Sequence, residues 1–242
     1  MPSGSPNLRT VPSPLSEDPT RRHFDAVVFD CDGVLVDSEE LSMRVSHRIV
    51  GDLGWSVDLS EMMRMFVGCS HEHYVAEVER RLGRTLERGW MDPYRGWHEE
   101  AFRTELEAIP GIAEALDEIA LPTAVASNSS HDRIRLTLGI VGLLDRFDGR
   151  IASAQDVAAP KPAPDVYLRG AELLGLPAER CIAVDDSRFG VTAAASAGMQ
   201  VLAYTGSPAG TPVPTGERIH PFDDMADLPT LVDRLVRTGS PV

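Results

Sequence analysis

The sequence is short of several features that define whole classes of protein. Its three cysteines, Cys31, Cys69 and Cys181, form no C-x-x-C pair, so neither a disulfide framework nor a zinc ribbon is expected. No apolar run approaches the roughly 20 residues that a membrane-spanning helix needs. The first 20 residues are rich in Pro and Ser and lack an apolar signal-peptide core, which predicts a disordered extension over residues 1–22. These absences predict a cytoplasmic protein that does not bind membranes.

Basic residues are also scarce. Lys and Arg together number 23 against 37 Asp and Glu, which gives a formal net charge of −14. Nucleic-acid binding depends on basic patches, so DNA and RNA are not expected partners. A field of this sign also repels small anions, and an enzyme with an anionic substrate would need a metal ion or a well-placed cation. The only lysine of the sequence, Lys161, is a candidate for that cation.

Short apolar runs alternate with helical patterns along most of the chain. Strands are predicted near residues 25–30, 123–127, 150–153, 181–185 and 200–204. Helices are predicted at 38–53, 61–67, 71–82, 90–106, 111–119, 131–139, 164–175, 189–197 and 228–237. We therefore expect an α/β fold, with a doubly wound, Rossmann-like parallel sheet as its core (23–37 and 109–242) and an inserted all-helical cap domain (38–108).

Three of the predicted strands end in polar side chains. Asp30 and Asp32 follow the first, Ser127 ends another, and Asp185 with Asp186 ends a third. Because the carboxyl ends of parallel strands lie together, these residues are expected to share one crevice. Four crowded carboxylates are unstable without a cation. An all-oxygen donor set favours Mg²⁺ over Zn²⁺ as that cation.

Four segments, in order, resemble the motifs of the haloacid dehalogenase-like hydrolases. They are residues 30–39 (DCDGVLVDSE), Ser127, residues 161–165 (KPAPD) and residues 184–187 (VDDS). The resemblance covers roughly residues 24–205. The helical insert is similar to the cap of the subgroup that contains β-phosphoglucomutase and many sugar-phosphate phosphatases. Within it, the chain looks most like phosphatases of the 6-phosphogluconate type.

This resemblance implies a Mg²⁺-dependent phosphatase that hydrolyses a small phosphorylated metabolite, such as a sugar phosphate or a related acid, through an aspartyl-phosphate. Asp30 would be the nucleophile, and Asp32 would act as acid and base. The implied ligands of Mg²⁺ are Asp30, the backbone carbonyl of Asp32, Asp185 and Asp186.

The resemblance also implies how the phosphoryl group is held. Lys161, Ser127 and the backbone N–H of Asn128 would bind it, in the manner of an oxyanion hole. Gly33 would also belong to the phosphate-binding residues and would allow the sharp turn that follows the two aspartates. Lys161 suits a tight point-charge site better than the broad guanidinium of an arginine would.

Substrate specificity is expected to come from the cap, with Cys69, Ser70 and His71 in the loop that closes over the site. Ser42 stands where the mutase subgroup carries a histidine, and His71 stands where it carries a phosphate-binding arginine. Both differences count against a phosphosugar mutase, which remains the main alternative. Asp32 counts against a haloacid dehalogenase, and a catalytically idle phosphate-binding protein is a further alternative. We expect a monomer or a weak homo-oligomer.

Overall fold

The computed structural model describes residues 22–66, 69, 71–207 and 212–241, and it gives no side-chain description for His71 and Glu72. The predicted disordered extension lies outside the described residues, apart from residue 22. No helix in the described part of the chain is long and apolar enough to cross a membrane.

A six-stranded sheet forms the centre of the fold. Its strands are β1 (Ala26–Phe29), β2 (Thr123–Ser127), β3 (Ile151–Ser153), β4 (Cys181–Asp185), β5 (Gln200–Tyr204) and β6 (Ile219–Phe222). The spatial order is β3-β2-β1-β4-β5-β6, and every neighbouring pair is parallel. The chain runs outward from β1 through β2 to β3 and then returns to β4 on the other side of β1. Such a reversal opens a crevice at the carboxyl ends of the strands.

Helices cover both faces of this sheet, which explains why β1 and, up to its final residue Asp185, β4 are apolar and fully buried. One apolar cluster includes residues of α5 (Ile112–Glu118), α6 (His131–Ile140) and α9 (Leu228–Thr238). The cluster on the other face includes residues of α7 (Asp165–Leu173) and α8 (Arg188–Ser196). Val27 belongs to the first cluster and Val28 to the second, because successive side chains of a strand point to opposite faces. The predicted doubly wound core is confirmed.

The described residues between β1 and α5 form four further α-helices. They are α1 (Glu39–Asp52), α2 (Leu59–Phe66), α3 (His71–Leu82) and α4 (Arg95–Glu105). An apolar cluster of their own, which contains Val50, Trp55, Met62, Phe66 and Val78, is separate from the two clusters that flank the sheet. Phe102 of α4 packs instead with the core cluster that contains α6. The predicted helical insertion is therefore present.

The structure differs from the predicted elements in two places. The edge strand β6 was not predicted, because Ile219-His220-Pro221-Phe222 has little apolar alternation and contains a proline, which a strand accommodates at a sheet edge. The helix predicted over 90–106 begins later: a short 3₁₀ turn at Asp92–Tyr94 contains Pro93, and α4 follows from Arg95.

Candidate active site

The central strands bring the predicted site residues to one edge of the sheet. β1 pairs with both β2 and β4, so Asp30, which follows β1, lies next to the ends of these two strands. Its backbone N–H donates a hydrogen bond of 2.8 Å to the carbonyl of Val184. Ser127 is the last residue of β2 and Asp185 the last of β4, and both are buried.

Lys161 lies inside this group of residues and is not a surface lysine. Its Nζ donates to Asp30 Oδ1 and to Asp185 Oδ2, both at 2.7 Å, and its side chain is only 4% exposed. Burial by itself lowers the pKa of Lys161, but the carboxylates of Asp185 and Asp30 outweigh it and raise the pKa above its ordinary value. The lysine is therefore charged at neutral pH and bridges the two aspartates.

A third buried carboxylate completes a candidate cation site. Carboxylate oxygens of Asp30, Asp185 and Asp186 lie within 4.8 Å of one another. Burial raises the pKa of Asp30 to about 7, with Lys161 opposing and Asp185 adding to the rise. Burial, and next the charge of Asp185, raises the pKa of Asp186 well above its usual range. One lysine does not balance this charge, and the buried all-oxygen donor set fits a hard divalent cation such as Mg²⁺.

Asp185 is held in place by donors on both of its oxygens. The backbone N–H and the hydroxyl of Ser187 donate to Oδ1, each at 2.9 Å. Tyr167 donates from its hydroxyl to Oδ2 at 2.5 Å, beside Lys161. Ser187 is also the N-cap of α8 and accepts from the N–H of Gly190 at 3.0 Å. The start of a core helix therefore fixes the orientation of this carboxylate.

The turn after Asp32 depends on a glycine, as predicted. Gly33 has a φ of +83°, in the left-handed region that favours glycine. A Cβ atom at this position would collide with the carboxylate of Asp186. Gly33 therefore allows both the turn and the close approach of a candidate metal ligand.

Asp32 has a different environment from the other carboxylates. Its Oδ1 accepts from the hydroxyl of Ser38 and, at 3.1 Å, from Nη2 of Arg133, and its Oδ2 accepts from the hydroxyl of Ser129 at 2.8 Å. Burial raises the pKa of Asp32, but Arg133 and the hydroxyl donors together lower it below its usual value. These donors were not predicted from the sequence. Ser129 stands in the polar segment after β2, and polar residues at a strand end are a signal for a site residue. Arg133 lies a helical turn further on, with no motif around it.

Glu39 is an acidic residue near the site that was not among the predicted site residues. It is the first residue of α1, is half-buried, and has a pKa raised to about 7 by burial, with the charges of Asp32 and Asp37 adding to the rise. It brings another carboxylate to the place where the chain enters the helical insert.

Of the other predicted phosphate-binding residues, Ser127 ends β2 and Asn128 contacts Lys161. The hydroxyl of Ser127 accepts from the N–H of Ser129 at 3.0 Å. The side chain of Asn128 pairs with the backbone of Lys161: Oδ1 accepts from its N–H at 2.8 Å, and Nδ2 donates to its carbonyl at 3.3 Å. Asn128 therefore anchors the segment that carries the lysine.

The three predicted specificity residues are only partly described. Cys69 is half-buried, and its thiol donates to the carbonyl of Phe66 at 3.0 Å. Ser70 lies outside the described residues, and of His71, the first residue of α3, only the backbone is described. Their role in specificity stays a prediction.

Comparisons with known proteins agree with this architecture. A family model described as haloacid dehalogenase-like hydrolase matches residues 27–204. The 6-phosphogluconate phosphatase of Escherichia coli (strain K12) is 31% identical over 213 residues, which cover 86% of this chain and 94% of that protein. A conserved haloacid dehalogenase-like protein of unknown function from Agrobacterium tumefaciens str. C58 has a crystal structure with a TM-score of 0.72; it is 32% identical, and the match covers 88% of this chain and 99% of that one.

A second solved structure is a HAD family hydrolase from Deinococcus radiodurans R1 with bound phosphate and sodium. It is 29% identical, has a TM-score of 0.67, and the match covers 85% of this chain and 93% of that one. The chain thus belongs to the haloacid dehalogenase-like hydrolases. The predicted family, with its sugar-phosphatase type, and the predicted enzyme class, a hydrolase of phosphate esters, are confirmed.

Proposed function

We propose that this protein is a Mg²⁺-dependent phosphatase that hydrolyses a small phosphorylated metabolite, a sugar phosphate or a related acid, through an aspartyl-phosphate on Asp30. The observation that carries the proposal is the buried bridge in which Lys161 contacts Asp30 and Asp185 at 2.7 Å each, with Asp186 beside them. A nucleophilic carboxylate, a fixed cation and an oxygen-rich cation site are together what phosphoryl transfer needs.

In the first half of the reaction, a carboxylate oxygen of Asp30 attacks phosphorus and the bond from phosphorus to the ester oxygen breaks. Asp32 must carry a proton at this point, although Arg133 and the hydroxyl donors lower its pKa in the free protein, and it gives that proton to the departing alkoxide so that a neutral alcohol leaves. In the second half, water attacks the phosphorus of the aspartyl-phosphate and loses a proton to Asp32. Inorganic phosphate is released, and Asp30 and Asp32 return to their starting states.

The remaining residues stabilise negative charge and keep the reacting groups in position during both halves of the reaction. Asp30, Asp185 and Asp186, with the backbone carbonyl of Asp32, would hold Mg²⁺, which when bound offsets the charge on the phosphoryl oxygens. Lys161 supplies a second positive charge that is already fixed in place. The hydroxyl of Ser127 and the backbone N–H of Asn128 would bind the transferring group.

The helical insert would act as the cap of the site. We place its boundaries at residues 38 and 108 and assign substrate selection to the loop that contains Cys69, Ser70 and His71. Similarity to the 6-phosphogluconate phosphatase favours a phosphorylated sugar acid as the first substrate to test. Ser42, which accepts a hydrogen bond from Arg133 at 3.2 Å, stands at the place of the mutase histidine, and the lack of an imidazole there favours a phosphatase over a mutase.

The test is an assay of phosphate release from a panel of phosphorylated sugars and sugar acids, run with Mg²⁺ and with a chelator. We expect Mg²⁺-dependent release that Asp30→Asn lowers by more than about 10³-fold. Asp145→Asn, which changes an exposed aspartate on the same protein, serves as the matched control. Activity that survives Asp30→Asn would overturn the nucleophile, and an isomerised sugar phosphate as the product would favour the mutase.

A further inference from the structure

Arg133 is a cation of this site that the proposed reaction does not use. It lies in the first turn of α6, a core helix, and its Nη2 is 3.1 Å from Asp32 Oδ1. Lys161 is fully engaged by two other carboxylates, so the positive charge next to Asp32 comes from Arg133.

The same arginine contacts the helical insert. Its Nη2 also donates to the hydroxyl of Ser42 on α1 at 3.2 Å. The central carbon of its guanidinium lies 4.8 Å from the centre of the Phe102 ring on α4, and Phe102 is almost completely buried. Arg133 therefore connects a core residue with two helices of the insert.

These contacts favour an orienting role over a direct role in substrate binding. Nη2 is already shared between Asp32 and Ser42. Nε is buried and has no hydrogen-bond partner among the described residues, so it lies beyond the reach of a ligand in this conformation. Of the three donors to Asp32 in the described structure, Arg133 alone carries a positive charge, which adds Coulomb attraction to its hydrogen bond.

We propose that Arg133 is a positioning residue that fixes the carboxylate of Asp32, and that Ser42 and Phe102 of the insert fix Arg133 in turn. This inference rests on the proposed function, in which Asp32 is the acid and base. The arrangement makes the orientation of Asp32 dependent on how the insert packs against α6.

The first test is the kinetics of Arg133→Met, which keeps much of the side-chain volume and removes the charge. We expect kcat to fall by about 10- to 100-fold because Asp32 loses its orientation, while KM changes by less than about twofold. Arg133→Lys keeps a cation and should recover part of the lost kcat. Ser42→Ala removes one support of the guanidinium and should lower kcat by a smaller factor.

The second test asks whether Arg133 acts through Asp32. In an Asp32→Asn background, which already lacks the carboxylate, Arg133→Met should cause no further loss, because the effects of coupled residues do not add. Arg135→Met changes an exposed arginine two residues along the same helix and should leave kcat and KM at the parent values. Circular dichroism and a thermal melt show whether each variant is folded. If Arg133→Met does not fold, the kcat and KM of Arg133→Lys and Ser42→Ala test the positioning role instead.

Two results would overturn the inference. A raised KM at unchanged kcat, or a further loss in the Asp32→Asn background, would make Arg133 a substrate-binding residue. An unchanged kcat in the folded Arg133 variants would give it no role in the reaction. Failure of the proposed function would look different: the parent and Arg135→Met would release no phosphate, or Asp32→Asn would be as active as the parent.

Discussion

At the scale of single residues, the site depends on where its two kinds of positive charge are placed. The compact ammonium of Lys161 fits between Asp30 and Asp185, where it donates to both at 2.7 Å. The planar guanidinium of Arg133 lies at the rim, next to Asp32, and its side chain is 31% exposed. Arginine and lysine are not interchangeable in such places, because their donors differ in geometry and hydration.

Replacing Lys161 with Met should destabilise the protein even when no substrate is present. Removal of one partner leaves buried carboxylates without their counter-charge, which costs about 3 kcal/mol or more. Urea denaturation in the presence of a chelator measures the loss. The control is Arg169→Met, which breaks the exposed ion pair with Glu172 and should cost far less stability than Lys161→Met, because solvent screens an exposed pair. Equal losses in the two variants would contradict the account of the buried bridge.

Gly33→Ala should cost more stability than an alanine at another left-handed glycine. Gly83 also has a positive φ, but a Cβ there would meet nothing within 4 Å, so Gly83→Ala tests backbone strain alone, about 1–2 kcal/mol. At Gly33 the new methyl also displaces Asp186, which adds at least about 1 kcal/mol. Urea denaturation of both variants measures the difference. Equal losses would show that Asp186 moves aside freely.

At the scale of elements, the helices and strands that have a clear local sequence pattern could be predicted from the sequence. The bounds predicted for α3 match the structure, because its helix is framed by glycine and its pattern is regular. The strands β1, β2, β4 and β5 were found from their apolar runs, since burial on both faces demands such runs. The edge strand β6 was missed because pairing on one side, with Pro221 in the strand, leaves little signal in the sequence.

The residues of the candidate site also differ in whether a local sequence pattern identifies them. The aspartates, Ser127 and Lys161 lie in short motifs at strand ends, so their meeting could be inferred from parallel-sheet topology. The partnership of Arg133 with Asp32 joins residues 101 positions apart and depends on how α6 packs against the insert. No periodicity or spacing in one sequence encodes that contact, and only the folded chain shows it.

The insert should respond to mutation as a unit with a core of its own. Met62 is completely buried in its apolar cluster, and Met62→Ala should cost about 2–5 kcal/mol. All three tryptophans of the chain (Trp55, Trp90 and Trp97) lie between residues 38 and 108, so their fluorescence reports on this region. In urea, the fluorescence transition should shift more than the transition measured by circular dichroism.

Leu168→Ala, which changes an exposed leucine on α7, is the control and should shift neither transition appreciably. If Met62→Ala shifts both transitions by the same amount, the insert and the sheet core unfold as one cooperative unit. The proposed division at residues 38 and 108 would then have no thermodynamic meaning.

At the scale of the whole molecule, a net charge of −14 is combined with buried carboxylates at one edge of the sheet. Self-repulsion of this kind lowers the stability of a compact chain, and a bound cation relieves it locally. The cytoplasmic location and the monomeric or weakly oligomeric state stay predictions.

Mg²⁺ should therefore stabilise the folded protein through the proposed site. At a concentration about 100 times Kd the gain is about 2.7 kcal/mol, which a thermal melt with Mg²⁺ and with a chelator at matched ionic strength detects. Asp186→Asn should remove most of this gain, whereas Asp233→Asn, at an exposed position on α9, should keep it. A full gain in Asp186→Asn would place the stabilising cation elsewhere on the acidic surface.

The central claim is that Asp30 carries the phosphoryl group between the two halves of the reaction. Asp32→Asn lacks the acid of the first half as well as the base of the second, so the test uses p-nitrophenyl phosphate, whose leaving group needs no proton. The attack of water should then be the slower half, and the phosphorylated protein should accumulate when the variant is mixed with this substrate and Mg²⁺ and quenched in acid. Peptide mass spectrometry then locates the phosphoryl group. The account predicts that it lies on Asp30 and that an Asp30→Asn, Asp32→Asn double variant acquires none. A phosphoryl group on another residue, or turnover by the single variant with no phosphorylated protein, would contradict the account.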